Sequence, residues 1–181
     1  SVRTRRRAAH SSSLCAMLGA SVSSSVNQAS QPEGVRVSTP QEELVEGIEH
    51  LRPMMEANGF EFSLGETGIG SGGTFAVGQF QRDDRILAFS VRYGLGLVEY
   101  KVGQSRITHE DFLRYSGAWG NHAYPNFGGT IQASFAALKQ DLANHFSVFL
   151  SGKDEEFLAV VRDRDAEPNK FKGLAALGGR R

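Results

Sequence analysis

Hydrophobic positions fall first into a helical rhythm. Leu44, Ile48, Leu51 and Met55 recur at spacings of four, three and four, which places them on one helical stripe. Ahead of them, Thr39, Pro40 and Glu42 supply an N-cap, a favoured first helical residue and the acid of a capping box. Pro53 has no amide hydrogen and should kink this helix or restart its last turn, and Asn58-Gly59 ends it. From Phe60 the rhythm changes to that of strands. Residues 60–66 form a short candidate strand, followed by a flexible Gly-rich hairpin loop, Gly68-Ile69-Gly70-Ser71-Gly72-Gly73. Residues 74–82 and 85–93 then read as strands joined by a tight turn at Asp83-Asp84. In the second of them Leu87, Phe89, Val91 and Tyr93 alternate and should face a core. A last strand carries Val98, Tyr100 and Val102 on one face, and Gly103 ends it.

The second half returns to helices. Thr108 caps a short helix that reaches Tyr115, with Glu110 and Asp111 in the first turn where the helix dipole favours acids. A Gly-rich loop over residues 117–129 contains Trp119, Tyr124 and Phe127. Thr130 opens the longest helix, with Ile131, Phe135, Leu138, Leu142 and Phe149 on its stripe, and Ser151-Gly152 stops it. Asp154 caps a final helix carrying Phe157, Leu158 and Val161. The pattern predicts an α+β fold: an N-terminal helix, a four-stranded antiparallel meander, then two to three C-terminal helices packed on one face of the sheet.

Composition changes this picture mainly through charge. The chain is formally neutral, yet residues 1–32 carry Arg3, Arg5, Arg6 and Arg7 and no acid, while residues 33–165 hold 12 basic and 19 acidic residues, a formal −7. Residues 1–38 read as a disordered basic and Ser-rich tail, 39–165 as one acidic α+β domain, and 166–181 as a flexible basic tail. An acidic surface repels phosphate backbones, which argues against nucleic acid and for a basic protein partner. The apolar run from Leu14 to Leu18 is too short to span a membrane. An Arg-rich, acid-free start also has the composition of a transit peptide, the alternative to plain disorder in a cytoplasmic protein. A single cysteine, Cys15, excludes a disulfide framework within the chain.

Candidate chemistry is sparse. The Gly-rich segment leads into a strand and lacks a following lysine, so it does not read as a phosphate loop. In Thr108-His109-Glu110-Asp111, capping and first-turn acids account for every residue but His109, which could serve as a base or ligand with Asp111 or with His122 of the aromatic loop. Asp141 and His145 share a helix face at a spacing of four and read as an exposed pair; two ligands make no metal site, and neither metal nor cofactor is expected. Trp119, Tyr124 and Phe127 are the interaction candidates, the alternative being that they close one end of the core.

The stretch SGGTFAVGQFQRDDRILAFSVRYGLGLVEYKVG, then ITHEDFLR and YPNF, resembles a family of small bacterial α+β proteins with no assigned activity. The shared pattern is a Ser-Gly-Gly loop, an Arg-x-x-Arg hairpin, a Leu-Gly-Leu-Val strand and a Thr-His-Glu-Asp helix start over roughly residues 44–150, and it implies a fold rather than a role. The expectation is a non-catalytic protein-binding module, like the small acidic immunity proteins that neutralise bacterial toxins. The alternative is a small hydrolase or metal-binding enzyme that uses His109 with Asp111 or His122.

Overall fold

A computed structural model describes residues 37–167, so the expectations for residues 1–36 and 168–181 lie outside the described residues. The described chain is α+β, with an antiparallel sheet followed by C-terminal helices. It begins with α1 (Pro40–Ile48), whose Thr39 and Glu42 form the reciprocal capping box. The helical stripe breaks after Ile48, and α2 (Arg52–Ala57) restarts with Pro53 in its first turn, where the missing amide hydrogen costs no intrahelical bond.

The sheet has five strands in the order β1-β2-β3-β4-β5 rather than the expected four. They are β1 (Glu61–Gly70), β2 (Gly73–Arg82), β3 (Arg85–Val91), β4 (Leu95–Val102) and β5 (Ser105–Thr108). Gly103 turns the sheet instead of ending it. Its φ of +59° is cheap only for glycine, and its N–H bonds the carbonyl of Asp84. The strand that follows is four residues long with only Ile107 buried, too short to display an alternation. The Gly-rich segment also differs from expectation: Thr67–Gly70 belongs to β1 and pairs with Gly73–Ala76 of β2, leaving Ser71-Gly72 as the turn. Tyr93 does not face the core. β3 stops at Val91, the Arg92 N–H bonds the Gly94 carbonyl to reverse the chain, and Tyr93 is 86% exposed.

Alternation on β2, β3 and β4 buries Ala76, Phe80, Leu87, Phe89, Val98 and Tyr100 against the helices. These helices are α3 (His109–Tyr115), α4 (Ile131–His145), the short α5 (Ser147–Leu150) and α6 (Asp154–Ala166), with one 3-10 turn at Trp119–Asn121. The expected long helix breaks at Phe146, where φ and ψ leave the helical region, so Phe149 sits on α5 and not on the α4 stripe. Aromatic rings fill the centre: Phe146 stacks on Tyr100 at 4.4 Å and on Phe112 at 4.3 Å, and Phe135 meets Phe89 edge-on at 5.5 Å. No helix among the described residues is long and apolar enough to cross a membrane.

α1 approaches α4 through Gly47. A Cβ there would lie 2.1 Å from Cδ2 of the fully buried Phe135, a distance no packing tolerates. Gly47→Ala is therefore expected to destabilise the domain by about 1–3 kcal/mol despite the better helix propensity of alanine. Gly94→Ala, with open space around it, should leave the urea midpoint nearly unchanged. Equal midpoints for the two variants would refute the close approach of α1 and α4.

Candidate functional site

His109 is the first residue of α3, set by the Thr108 cap, whose hydroxyl accepts from the Asp111 N–H. Its ring turns inward and is only 1% exposed. Nδ1 lies 2.8 Å from the Tyr100 hydroxyl of β4, and Nε2 lies 3.1 Å from Oδ2 of Asp141 on α4. The carboxylate can only accept, so Nε2 carries the proton and Nδ1 accepts from the tyrosine. Asp141 is fully buried and takes two further bonds from the loop after α3: the Ala123 N–H reaches Oδ1 at 2.7 Å and the Tyr124 N–H reaches Oδ2 at 2.8 Å. The result is one closed chain, Tyr100 to His109 to Asp141 to two loop amides. It ties a strand, two helices and the aromatic loop together.

Burial sets the electrostatics of this chain. It disfavours the imidazolium, so the His109 pKa falls below the ordinary value even though the Asp141 carboxylate pulls the other way. Burial would push the Asp141 carboxyl up, but the bonds from His109, Tyr124 and Ala123 outweigh it and hold the pKa below the usual value. Desolvation drives the Tyr100 hydroxyl well above its ordinary pKa, with the Asp141 charge adding to it. At neutral pH the site is a neutral histidine between a phenol and a carboxylate.

A pH dependence of stability follows from these directions. Unfolded His109 takes up a proton below its ordinary pKa of about 6.5, whereas the folded, depressed site resists it. Its contribution is therefore complete above that pH and is lost as the pH falls. Asp141, also depressed, adds a further loss below about pH 4. The stability advantage of the parent over His109→Gln should narrow below about pH 6.5, by no more than about 1.4 kcal/mol per pH unit. A gap constant from pH 7.5 to 5 in urea titrations would contradict a neutral buried histidine.

The structure places the other expected site residues as follows. Asp111 is half-buried on α3 and is not a partner of His109. His122 lies near enough to His109 to disfavour its charge, but its own Nδ1 meets the Trp119 carbonyl and its ring stacks on Trp119 at 4.2 Å. Trp119 is half-buried and also carries the Arg114 guanidinium, 4.2 Å from its centroid. Tyr124 is 7% exposed and donates its hydroxyl to the Leu95 carbonyl, 2.9 Å away; burial pushes its pKa to about 12. Phe127 alone of the three aromatics stands free, at 89% exposure.

No family model, curated protein or solved structure matches this chain. The site has to be read from its own geometry. The pair Asp141 and His145, expected to be exposed, instead grips the loop: His145 Nε2 lies 3.2 Å from the Asn121 carbonyl while Asp141 holds Ala123 and Tyr124. Asp141 is the site residue that sequence reasoning misplaced. Its signal was present, since position 141 lies three residues after buried Leu138 and so shares the inward face.

Beside the chain lies a recess of about 280 Å³ lined by Leu97, Val98, Thr108, His109, Glu110 and Tyr124. Its rim is formed by a bulge. The β3–β4 register shifts between Ala88 and Ser90, leaving Leu97 and Val98 opposite Phe89. Leu97 takes the left-handed φ of +48° and projects into solvent. Left-handed backbone at a leucine carries of order 1 kcal/mol of strain, and nothing in the residue type announced it. The imidazole edge on this recess has no uncommitted nitrogen, so the arrangement offers shape and an apolar rim rather than a general base.

Proposed function

We propose that this domain is a non-catalytic protein-binding module, immunity-like in kind, whose partner is a basic protein. The observation that carries this reading is the placement of three large apolar side chains in solvent on an acidic domain. Tyr93 and Leu97 flank the start of β4, and Phe127 lies in the loop that Tyr124 ties to Leu95. Large solvated side chains next to a loop that Tyr124 ties to the sheet are the kind of residue that anchors an interface. The described residues carry 11 Lys and Arg against 19 Asp and Glu, a formal −8, which would speed association with a basic surface. The buried chain supports the same reading by spending both nitrogens of His109 on the fold.

The test is affinity capture on the purified full chain at low salt, followed by a salt gradient. A basic protein should be retained by the parent, released by salt, and retained at least about tenfold less well by a Leu97→Asp, Phe127→Asp double variant. The variant should keep the parent's thermal midpoint, since both side chains are exposed. Empty capture at low salt, or capture indifferent to the double variant, would sink the reading.

A further inference from the structure

The two edges of the sheet are finished differently. β5 is short and lies against α6, and the Arg106 carbonyl accepts from Arg164 Nη2 at 2.9 Å. β1 is ten residues long, pairs only with β2, and is exposed over most of its length. An edge strand directs the amide and carbonyl of every second residue away from the sheet, where an added strand can bond them. Proteins commonly blunt such edges with lysine or proline, and Glu61–Gly70 contains neither. The bulge between Leu64 and Thr67 bends the edge and divides it into two stretches, Glu61–Leu64 and Thr67–Gly70.

Two recesses open at the ends of this strand. One, of about 460 Å³, is lined in part by Glu61, Phe62, Ser63 and Gln81; the other, of about 470 Å³, is lined in part by Val37, Thr67, Ile69 and Phe75. The charges along the strand have one sign. Glu61 and Glu66 have no ion-pair partner among the described residues, and β1 carries no basic side chain. Three arginines stand near its two ends. Arg52, paired with Glu49 and Glu56, lies over the Phe62 ring, and Arg82 lines the first recess and bonds the Asn58 and Leu150 carbonyls. Arg92 lies over Phe75, so the stretch around Glu66 is the part without a cation beside it.

We propose that the free edge of β1 is the docking site for an extended basic segment of the partner, which adds to the sheet as a strand alongside β1. The inference rests on the reading of the domain as a binder of a basic protein, and it names where and how an extended part of that partner is held. Backbone pairing supplies affinity, apolar side chains of the segment enter the two recesses, and its lysines or arginines meet Glu61 and Glu66. A second copy of the chain fits this edge less well, since it would bring two domains of like charge together.

The probe is a short acetylated peptide of alternating lysine and valine, titrated into the full chain. Binding should slow amide exchange within Glu61–Gly70. Of two peptides N-methylated on alternate amides, in one register or the other, one should bind at least about tenfold more weakly because it loses its bonds to the edge. A glutamate–valine peptide should not compete. Replacing Glu61 and Glu66 with glutamine should weaken binding by about three- to tenfold at low salt, with the difference closing as salt is raised. No binding, no slowed exchange in β1, or indifference to both methylated registers would overturn the proposal. Slowed exchange in β1 that grows with protein concentration and needs no peptide would assign the edge to a second copy and also overturn it. Peptide held at β1 with an empty capture column would leave β1 as a strand-docking edge and sink the reading of the domain as a binder of a basic protein. A captured protein with an inert edge would overturn the present proposal and leave that reading standing.

Discussion

Asp141→Ala is expected to lower the unfolding free energy by about 3–5 kcal/mol. The carboxylate is fully buried and accepts three bonds, from His109 Nε2 and from the Ala123 and Tyr124 amides. Alanine leaves those donors facing a small void. Each buried, unsatisfied donor costs about 1–3 kcal/mol, and partial collapse or an entering water keeps the sum below three full penalties. Asparagine is no refuge. Either orientation of its amide points an NH₂ at a backbone N–H, at Ala123 in one case and at Tyr124 in the other. Asp141→Asn should therefore cost at least about 2 kcal/mol although its shape is nearly unchanged. Both variants should also speed amide exchange in residues 117–129, because the loop loses the anchor that holds it to α4. Urea unfolding with an unchanged m-value, together with exchange rates, checks both parts. A loss below about 1 kcal/mol for alanine would show that the loop is held by its aromatic contacts instead.

The same residue shows where a sequence is readable and where it is not. Helix starts were legible because capping is local: Thr39 with Glu42, Thr108 with Asp111, and Thr130 with Ala133 each involve residues three apart. The paired strands from β2 to β4 were legible through alternation at Phe80, Leu87, Phe89, Val98 and Tyr100. β5 was not, since four residues with one buried side chain carry no period, and Gly103 suits a turn as well as an ending. The Gly-rich half of β1 was hidden for a related reason. An edge strand exposed along its length shows no hydrophobic face, so Thr67–Gly70 has only its pairing with β2 to mark it. His109 stood out because capping explained its neighbours, but its partner lies 32 residues away, which no local spacing reveals. Asp141 was visible as a polar residue on an apolar stripe and was assigned to the surface, because a lone acid on a helix is normally solvated. Of the aromatic loop, the sequence separated neither the buried Tyr124 from the free Phe127 nor the stacked Trp119 from both. That division depends on the fold.

Arg85 supplies the other large expected effect, and here the pattern was plain while its purpose was not. The hairpin Arg82-Asp83-Asp84-Arg85 places two arginines at one end of the sheet, paired with each other across β2 and β3. Both turn toward the helices. Arg82 reaches the Asn58 carbonyl at 2.6 Å and the Leu150 carbonyl at 2.8 Å. Arg85, nearly buried, bonds the Val148 carbonyl at 2.9 Å, the Phe149 carbonyl at 2.5 Å and the Gly152 carbonyl at 2.7 Å, and also meets the Asp154 carboxylate. Val148 and Phe149 belong to the last turn of α5 and Gly152 to the connection before α6, so their carbonyls lack helical partners. One guanidinium, with five donors in a fixed plane, serves the whole connection. It also explains why Asp154 caps nothing: its carboxylate is turned to Arg85 rather than to the first amides of α6. Arg85→Met retains the volume and removes the donors. We expect a loss of about 3–5 kcal/mol, with Arg85→Lys recovering only part of it, since an ammonium cannot span carbonyls arranged for a fork. Asp154→Asn should cost far less, about 1 kcal/mol or below, because that carboxylate is about half exposed and the carbonyl bonds remain. If the methionine and asparagine variants unfold at the same urea concentration, the carbonyls of the α5–α6 turn are being satisfied by water, and the guanidinium does not hold the helices to the sheet.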